Sequence, residues 1–170
     1  RNKECNMPSL FEEYSVSKNL TLKNRLAMLP MGNACMNPDG SISDRQIDFY
    51  EERAKGGFGL LFPTACVVNT DFEDNPPPCV LKNYPQSVRI GLLADRMHMY
   101  GTKLCVQLSM GLGRVSSGSP IIPPHAPSKS RSYWFPDLET IPFTTDEIYK
   151  LIRDFGIAAR FAKAAGADAV

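Results

Sequence analysis

Apolar residues fall into two rhythms along the chain. The runs at 26–32, 58–62 and 103–108 are short, lack a helical period and are bounded by polar residues or by Pro and Gly, so each reads as a buried strand. Between them, Ile47, Tyr50 and Ala54, then Ile90, Leu93, Ala94, Met97 and Gly101, then Ile148, Leu151, Ile152, Phe155, Ala159 and Ala162 recur at three- and four-residue intervals. That spacing predicts three helices, each with one apolar face. Ser43 with Gln46 and Thr144 with Glu147 have the spacing of capping boxes, and Pro85 is placed to open the middle helix as its first residue. Gly57, Gly101 and Gly166 close the three helices, and Ala169-Val170 begins a fourth strand.

The order β-α-β-α-β-α-β predicts parallel strands with helical crossovers. An open doubly wound sheet and a (β/α)8 barrel both satisfy it. Neither a G-x-G-x-x-G turn nor a Walker lysine loop follows the first strand, which favours the barrel. Such barrels typically need ~250 residues. The expected fold is therefore α/β, the N-terminal half of a (β/α)8 TIM barrel, with residues 1–170 forming a partial barrel and the remainder absent. Residues 1–22 precede the first barrel strand and can turn a hairpin at Lys18-Asn19. Asn37-Pro38-Asp39-Gly40 is a turn, and 71–78 is a polar, proline-rich connection. The segment 109–143, about 35 residues rich in Gly, Ser and Pro, far exceeds the ~4–6 residues of an ordinary connection, so it is either a functional loop on the active-site side or disordered.

Composition narrows the partners. With 43% hydrophobic and 22% charged residues in 170, the chain has the make-up of a soluble globular protein. A net charge of +1 sets up no field for nucleic acid or an anionic membrane, and no apolar stretch approaches the ~20 residues of a membrane span. Without a secretory signal pattern, the expected setting is the cytoplasm and the expected partner a small molecule, with a homo-oligomer left open. Cys5, Cys35, Cys66, Cys79 and Cys105 form no C-x-x-C pair and read as reduced thiols, Cys66 and Cys105 packing as small hydrophobes. A start at Arg1 and an end on a nascent strand suggest a segment of a longer protein.

In a (β/α)8 barrel the active site forms at the carboxyl ends of the strands. Those ends here carry Pro30, Met31 and Gly32, then Thr64 and Ala65, then Gln107. None titrates usefully, and no metal-spaced cluster or activated nucleophile stands near them in sequence, so an organic cofactor is the expected source of reactivity. Pro30 ends a ladder because it brings no N–H, and Gly32 permits close approach to its backbone. A strand ending this way either turns a corner or presents its backbone to a ligand. Gln107 either hydrogen-bonds the edge of a planar heterocycle or is a buried amide satisfied by its neighbours. His98 and His125 read as packed or solvated residues without an obvious charged partner nearby in sequence. Tyr133-Trp134 with Lys129 and Arg131 reads equally as a lid over an anionic or planar substrate and as a solvated loop.

Four ordered motifs then carry a family resemblance. They are Leu22-Lys23-Asn24-Arg25-Leu26-Ala27-Met28-Leu29-Pro30-Met31-Gly32, Tyr50-Glu51-Glu52-Arg53-Ala54-Lys55-Gly56-Gly57-Phe58-Gly59-Leu60, Val106-Gln107-Leu108-Ser109-Met110-Gly111-Leu112-Gly113-Arg114 and Ala126-Pro127-Ser128. Together they resemble the Old Yellow Enzyme family over roughly 20–170, nearest to the bacterial branch related to 2,4-dienoyl-CoA reductase and the bile-acid-inducible steroid reductases. The resemblance implies an FMN-dependent ene-reductase that takes hydride from NAD(P)H and delivers it through the flavin to an activated C=C of an unsaturated carbonyl, enoyl-CoA or steroid-like substrate. It implies that the backbone around Pro30, Met31 and Gly32 lines the isoalloxazine, that Ala65 contacts its pyrimidine side, and that Gln107 hydrogen-bonds that edge. Arg114 closes the glutamine motif and either structures its loop or reaches toward substrate. No metal ligand is implied within these residues. Relatives in this branch carry iron–sulfur and FAD-binding domains after the barrel.

Two departures stand out. Many members have a histidine after the glutamine where this chain reads Ser109-Met110-Gly111-Leu112, with one extra residue. The family's substrate-polarising pair and its phosphate-binding groups belong to later strands, so the catalytic residues are expected beyond Val170. The alternative is an inactive, incomplete barrel that acts, if at all, as an association module.

Overall fold

The computed structural model describes residues 9–32, 35–72, 79–116 and 123–170. The proline-rich stretch 73–78, the loop tip 117–122 and Cys5 lie outside the described residues.

The chain begins with an antiparallel hairpin, β1 (Tyr14–Ser17) on β2 (Leu20–Leu22), with Tyr14 opposite Leu22 and an irregularity between Ser15 and Ser17. Next comes β3 (Ala27–Met28), and α1 (Asp44–Lys55) follows it. Ser43 starts that helix by accepting the Gln46 N–H, and Gly57 ends it at φ +100°, a conformation closed to most side chains. Then come β4 (Leu60–Leu61), β5 (Cys66–Val67) and β6 (Cys79–Val80).

The second helix, α2 (Tyr84–His98), starts one residue before Pro85. Asn83 is its cap, accepting the Gln86 N–H at 3.0 Å, and Pro85 sits second, where its missing N–H has no intrahelical partner to lose. After it lie β7 (Lys103–Leu104), β8 (Leu108–Ser109), β9 (His125–Ala126) and β10 (Ile141–Pro142). The last helix, α3 (Thr145–Ala164), opens with the full capping box, Thr144 accepting the Glu147 N–H and Glu147 accepting the Thr144 N–H.

The strands β3, β4 and β7 lie side by side in parallel, with Met28, Leu61 and Leu104 in register, and Ala169 adds a parallel bridge to Cys105. Each step between neighbours crosses over through a helix, which is the repeat of a (β/α)8 barrel. The core forms where Met28, Leu61 and Leu104 meet Ile47, Tyr50 and Ala54 of α1, Ile90, Leu93, Ala94 and Met97 of α2, and Ala158 and Ala162 of α3. The chain builds only part of the barrel. That limit explains why the expected strand 26–32 is not buried throughout. Met28 enters the core, whereas Leu29 is 68% and Met31 54% exposed, because alternate residues point to the face that α1 and α2 do not cover. The stripe on α3 divides similarly, with Leu151 and Ala162 buried but Ile148 and Ile152 open to solvent.

The expected single strand 103–108 is two. In the ladder between β4 and β7, Cys105 N–H donates to Leu61 O, and the next rung would need an N–H at position 63. Pro63 has none. Pairing resumes past it as a second parallel sheet in the order β6-β5-β8, with Cys66 opposite both Cys79 and Leu108. The long segment 109–143 also holds structure where a loop was expected. A 3-10 turn at Gly113–Val115, the parallel pair β9 and β10, and an Arg131 to Glu139 bridge organise its described part.

At the amino ends of the strands, Asp168 ties three elements together. Its carboxylate meets Lys103 Nζ at 2.8 Å and His98 Nε2 at 2.7 Å, and accepts the Leu104 N–H at 2.9 Å. His98 thus has the charged partner that its sequence neighbourhood did not offer, 70 positions away. Burial pushes the Asp168 carboxyl up, but these hydrogen bonds outweigh it and hold the group below its ordinary value. Asp168→Ala should destabilise the full-length protein by about 1–3 kcal/mol in urea unfolding at pH 7. Because the folded carboxyl is depressed, its stabilisation is complete above its ordinary value and lost as pH falls through the lowered one. The gap between wild type and variant should therefore shrink below about pH 4.

Candidate functional site

The break at Pro63 gives the strand ends their shape. Thr64 is buried, and its N–H donates to the hydroxyl of Tyr50 at 2.8 Å. Tyr50 is itself sealed into the core on the inner face of α1, so the helix fixes the turn that carries Ala65. One residue further on, Cys66 N–H donates to Gln107 O at 2.8 Å. Ala65 and Gln107 therefore stand on adjacent strands at the same level. Ala65 is half-buried, while Gln107, with its carbonyl engaged, presents an exposed carboxamide.

Pro30, Met31 and Gly32 leave the carboxyl end of β3, the strand on the other side of β4, just past the bond from Phe62 N–H to Met28 O at 2.9 Å. A Cβ built on Gly32 would meet no atom of the described residues within 4 Å. The fold thus sets Pro30, Met31, Gly32, Ala65 and Gln107 along one edge of the barrel sheet. A cleft of about 530 Å³ opens there, lined by Phe62, Cys105, Val106, Gln107, Leu108, Phe155 and Val170. Of the five residues, Gln107 alone lines it.

Arg114 lies elsewhere. It is exposed on the 3-10 turn and lines a second hollow of about 330 Å³ with Met110, Ala126 and Ser128, and its carbonyl accepts the Tyr133 N–H at 2.8 Å. The segment around it is held from within. Trp134 Nε1–H donates to Val115 O at 3.0 Å, Lys129 pairs with Glu139 at 2.7 Å, and His125 packs between the rings of Phe72 and Phe143 at 5.1 and 5.5 Å. Tyr133 and Trp134 stay exposed.

The positioning part of Tyr50 is absent from the sequence reading, which counted it only as an apolar contact. A tyrosine on the inner face of a helix was the available signal, because a buried phenol needs a polar partner. No group of three or more His, Cys, Asp or Glu among the described residues could hold a metal ion. The donor set is backbone and carboxamide, which suits an organic ring.

A parallel α/β layer of this kind, with its open groups at the carboxyl ends of the strands, is the frame of a (β/α)8 barrel protein. The sequence profile of the NADH:flavin oxidoreductase / NADH oxidase family matches residues 9–170, and the chain belongs to that family. Cinnamate reductase of Clostridium sporogenes is 38% identical over 95% of this chain and 25% of its own length. NADPH dehydrogenase of Listeria monocytogenes serotype 4a is 33% identical over 96% and 47%. Among solved structures, Old Yellow Enzyme from Pichia sp. AKU4542 superposes with a TM-score of 0.78 at 24% identity, over 93% of this chain and 44% of that one. The chain thus spans a quarter to about half of the length of these relatives. No helix among the described residues is long and apolar enough to cross a membrane.

Tyr50→Phe removes the acceptor of the Thr64 N–H while keeping the ring. It should lower the stability of the full-length protein by about 1–3 kcal/mol, read as a fall in the unfolding midpoint with the helical circular dichroism unchanged.

Proposed function

We propose that this chain is the N-terminal part of an FMN-dependent ene-reductase. FMN, when bound, would supply the redox chemistry of hydride transfer from a reduced nicotinamide to the β-carbon of an activated C=C. The chain's own residues bind and orient the ring. The backbone at Pro30, Met31 and Gly32 would form a ledge along it, Ala65 would pack against its pyrimidine side, and the Gln107 carboxamide would hydrogen-bond that edge. The observation that carries this reading is the level placement of Ala65 and Gln107 at the carboxyl ends of neighbouring strands, with Pro30, Met31 and Gly32 leaving the strand on the other side.

The groups that polarise the substrate, hold the phosphate and deliver the final proton belong to the rest of the barrel. The relative named cinnamate reductase supports an unsaturated carbonyl compound as substrate, and the relative named NADPH dehydrogenase supports a nicotinamide reductant. Further domains carrying an iron–sulfur cluster and FAD, a cytoplasmic setting and a homo-oligomer belong to the same proposal. The Arg114 carbonyl anchors Tyr133, while its side chain either holds the same loop or reaches toward substrate.

Purified full-length protein should carry FMN, show the flavin absorbance bands, bleach with NADH or NADPH without oxygen, and recover on adding an α,β-unsaturated carbonyl compound. A colourless protein that gains no flavin bands when FMN is added would sink the proposal. Flavin bound by the full-length protein but not by the isolated 170 residues would leave the isolated piece as the inactive part-barrel.

A further inference from the structure

Cys66 and Cys79 stand directly opposite each other in the parallel pair β5 and β6, followed by Val67 opposite Val80. Their sulfurs are 3.0 Å apart, and the two residues are 0% and 1% exposed. Sequence offered no hint of the pair, since the two are 13 positions apart and form no C-x-x-C. Cys35 is partly exposed, and Cys105 is buried elsewhere, directly after β7 and bridged to Ala169.

Neighbouring strands lie about 4.7–4.9 Å apart. Disulfides form at Cα separations of about 4.4–6.8 Å. A disulfide at this rung therefore needs the sulfurs to close by about 1 Å and no change in strand pairing. A packed pair of small hydrophobes would be satisfied equally by Val or Ala at either position, and neither would bring two thiols onto one rung.

We propose that Cys66 and Cys79 are a redox-active dithiol that closes to an intrachain disulfide in exchange with a low-molecular-weight disulfide. One thiolate attacks the small disulfide, forming a mixed disulfide and expelling one small thiol. The second thiolate then attacks the protein sulfur of that bond and expels the other small thiol. Two protein thiols are oxidised, one small disulfide is reduced to two thiols, and the two protons pass to the leaving thiolates.

Access comes through opening of β6, a two-residue strand at the edge of its sheet, so exchange is slow and set by that opening. The hydrogen bond to Cys79 and burial both push the Cys66 thiol up, so the rate rises with pH. Closure would link the strand that donates to Gln107 O to the segment before α2, beside the edge assigned to the flavin. The bond itself goes beyond the flavin assignment, and its readout needs no flavin.

The test uses full-length protein, reduced, freed of reductant and equilibrated with graded ratios of oxidised to reduced glutathione. Remaining thiols are alkylated, and the digest is mapped by mass without reduction. The expected result is a linked peptide pair carrying Cys66 and Cys79, about 2 Da below the sum of the two thiol peptides and released by dithiothreitol. It should be missing from Cys66→Ala and from Cys79→Ala, while the partly exposed Cys35 still forms a glutathione adduct in both. Recovery of Cys66 and Cys79 as alkylated thiols at every ratio, at pH 7 and at pH 9, under conditions that modify Cys35, would overturn the proposal. So would a linked peptide joining either residue to a different cysteine.

Discussion

A missing hydrogen-bond donor shapes this chain more than any contact that it makes. Pro63 cannot supply the rung that follows the bond from Cys105 N–H to Leu61 O, so the ladder between the second and third barrel strands has to part there. The chain crosses the gap as Thr64 and Ala65, and pairing returns when Cys66 N–H reaches Gln107 O. Ala65 and Gln107 arrive at the same level because the gap lies just before them. Had the ladder run on, alternate residues would have been committed to it, and no turn would carry Ala65 at this edge.

The gap is held from below. A buried polar N–H without a partner is costly, and the hydroxyl of Tyr50 removes that cost for Thr64. The same helix meets α2 through Glu51, whose carboxylate accepts from Tyr100 at 2.9 Å and Arg96 at 2.7 Å. Asp168 performs a comparable service at the opposite end of the strands. Binding groups then gather at the carboxyl ends, the rim that carries them in (β/α)8 barrels.

The helices were largely legible in the sequence. Their periodicity is local, and Ser43 and Thr144 cap the helices that they were expected to cap. Asn83 was passed over because Pro85 offered a competing start, although an Asn three residues ahead of Gln86 is a plain cap signal. Strand extents were less legible. A continuous apolar run reports burial, not the partner on each side, so 103–108 gave no sign of switching from one sheet to another. The pairings of Cys66 with Cys79, and of Asp168 with His98 and Lys103, join positions far apart in the chain and leave no local trace. The residues at the edge were legible only in part. Strand order and the glycine and proline punctuation pointed to Pro30, Gly32, Ala65 and Gln107, whereas their assignment to a flavin came from the four motifs shared with a known family.

The central claim is that the Gln107 carboxamide faces a flavin, and flavin binding by Gln107→Leu in the full-length protein tests it most directly. The account predicts that FMN fluorescence titration gives a dissociation constant raised roughly tenfold, or that the reduction potential of the bound flavin shifts. Unchanged affinity together with an unchanged potential would contradict it.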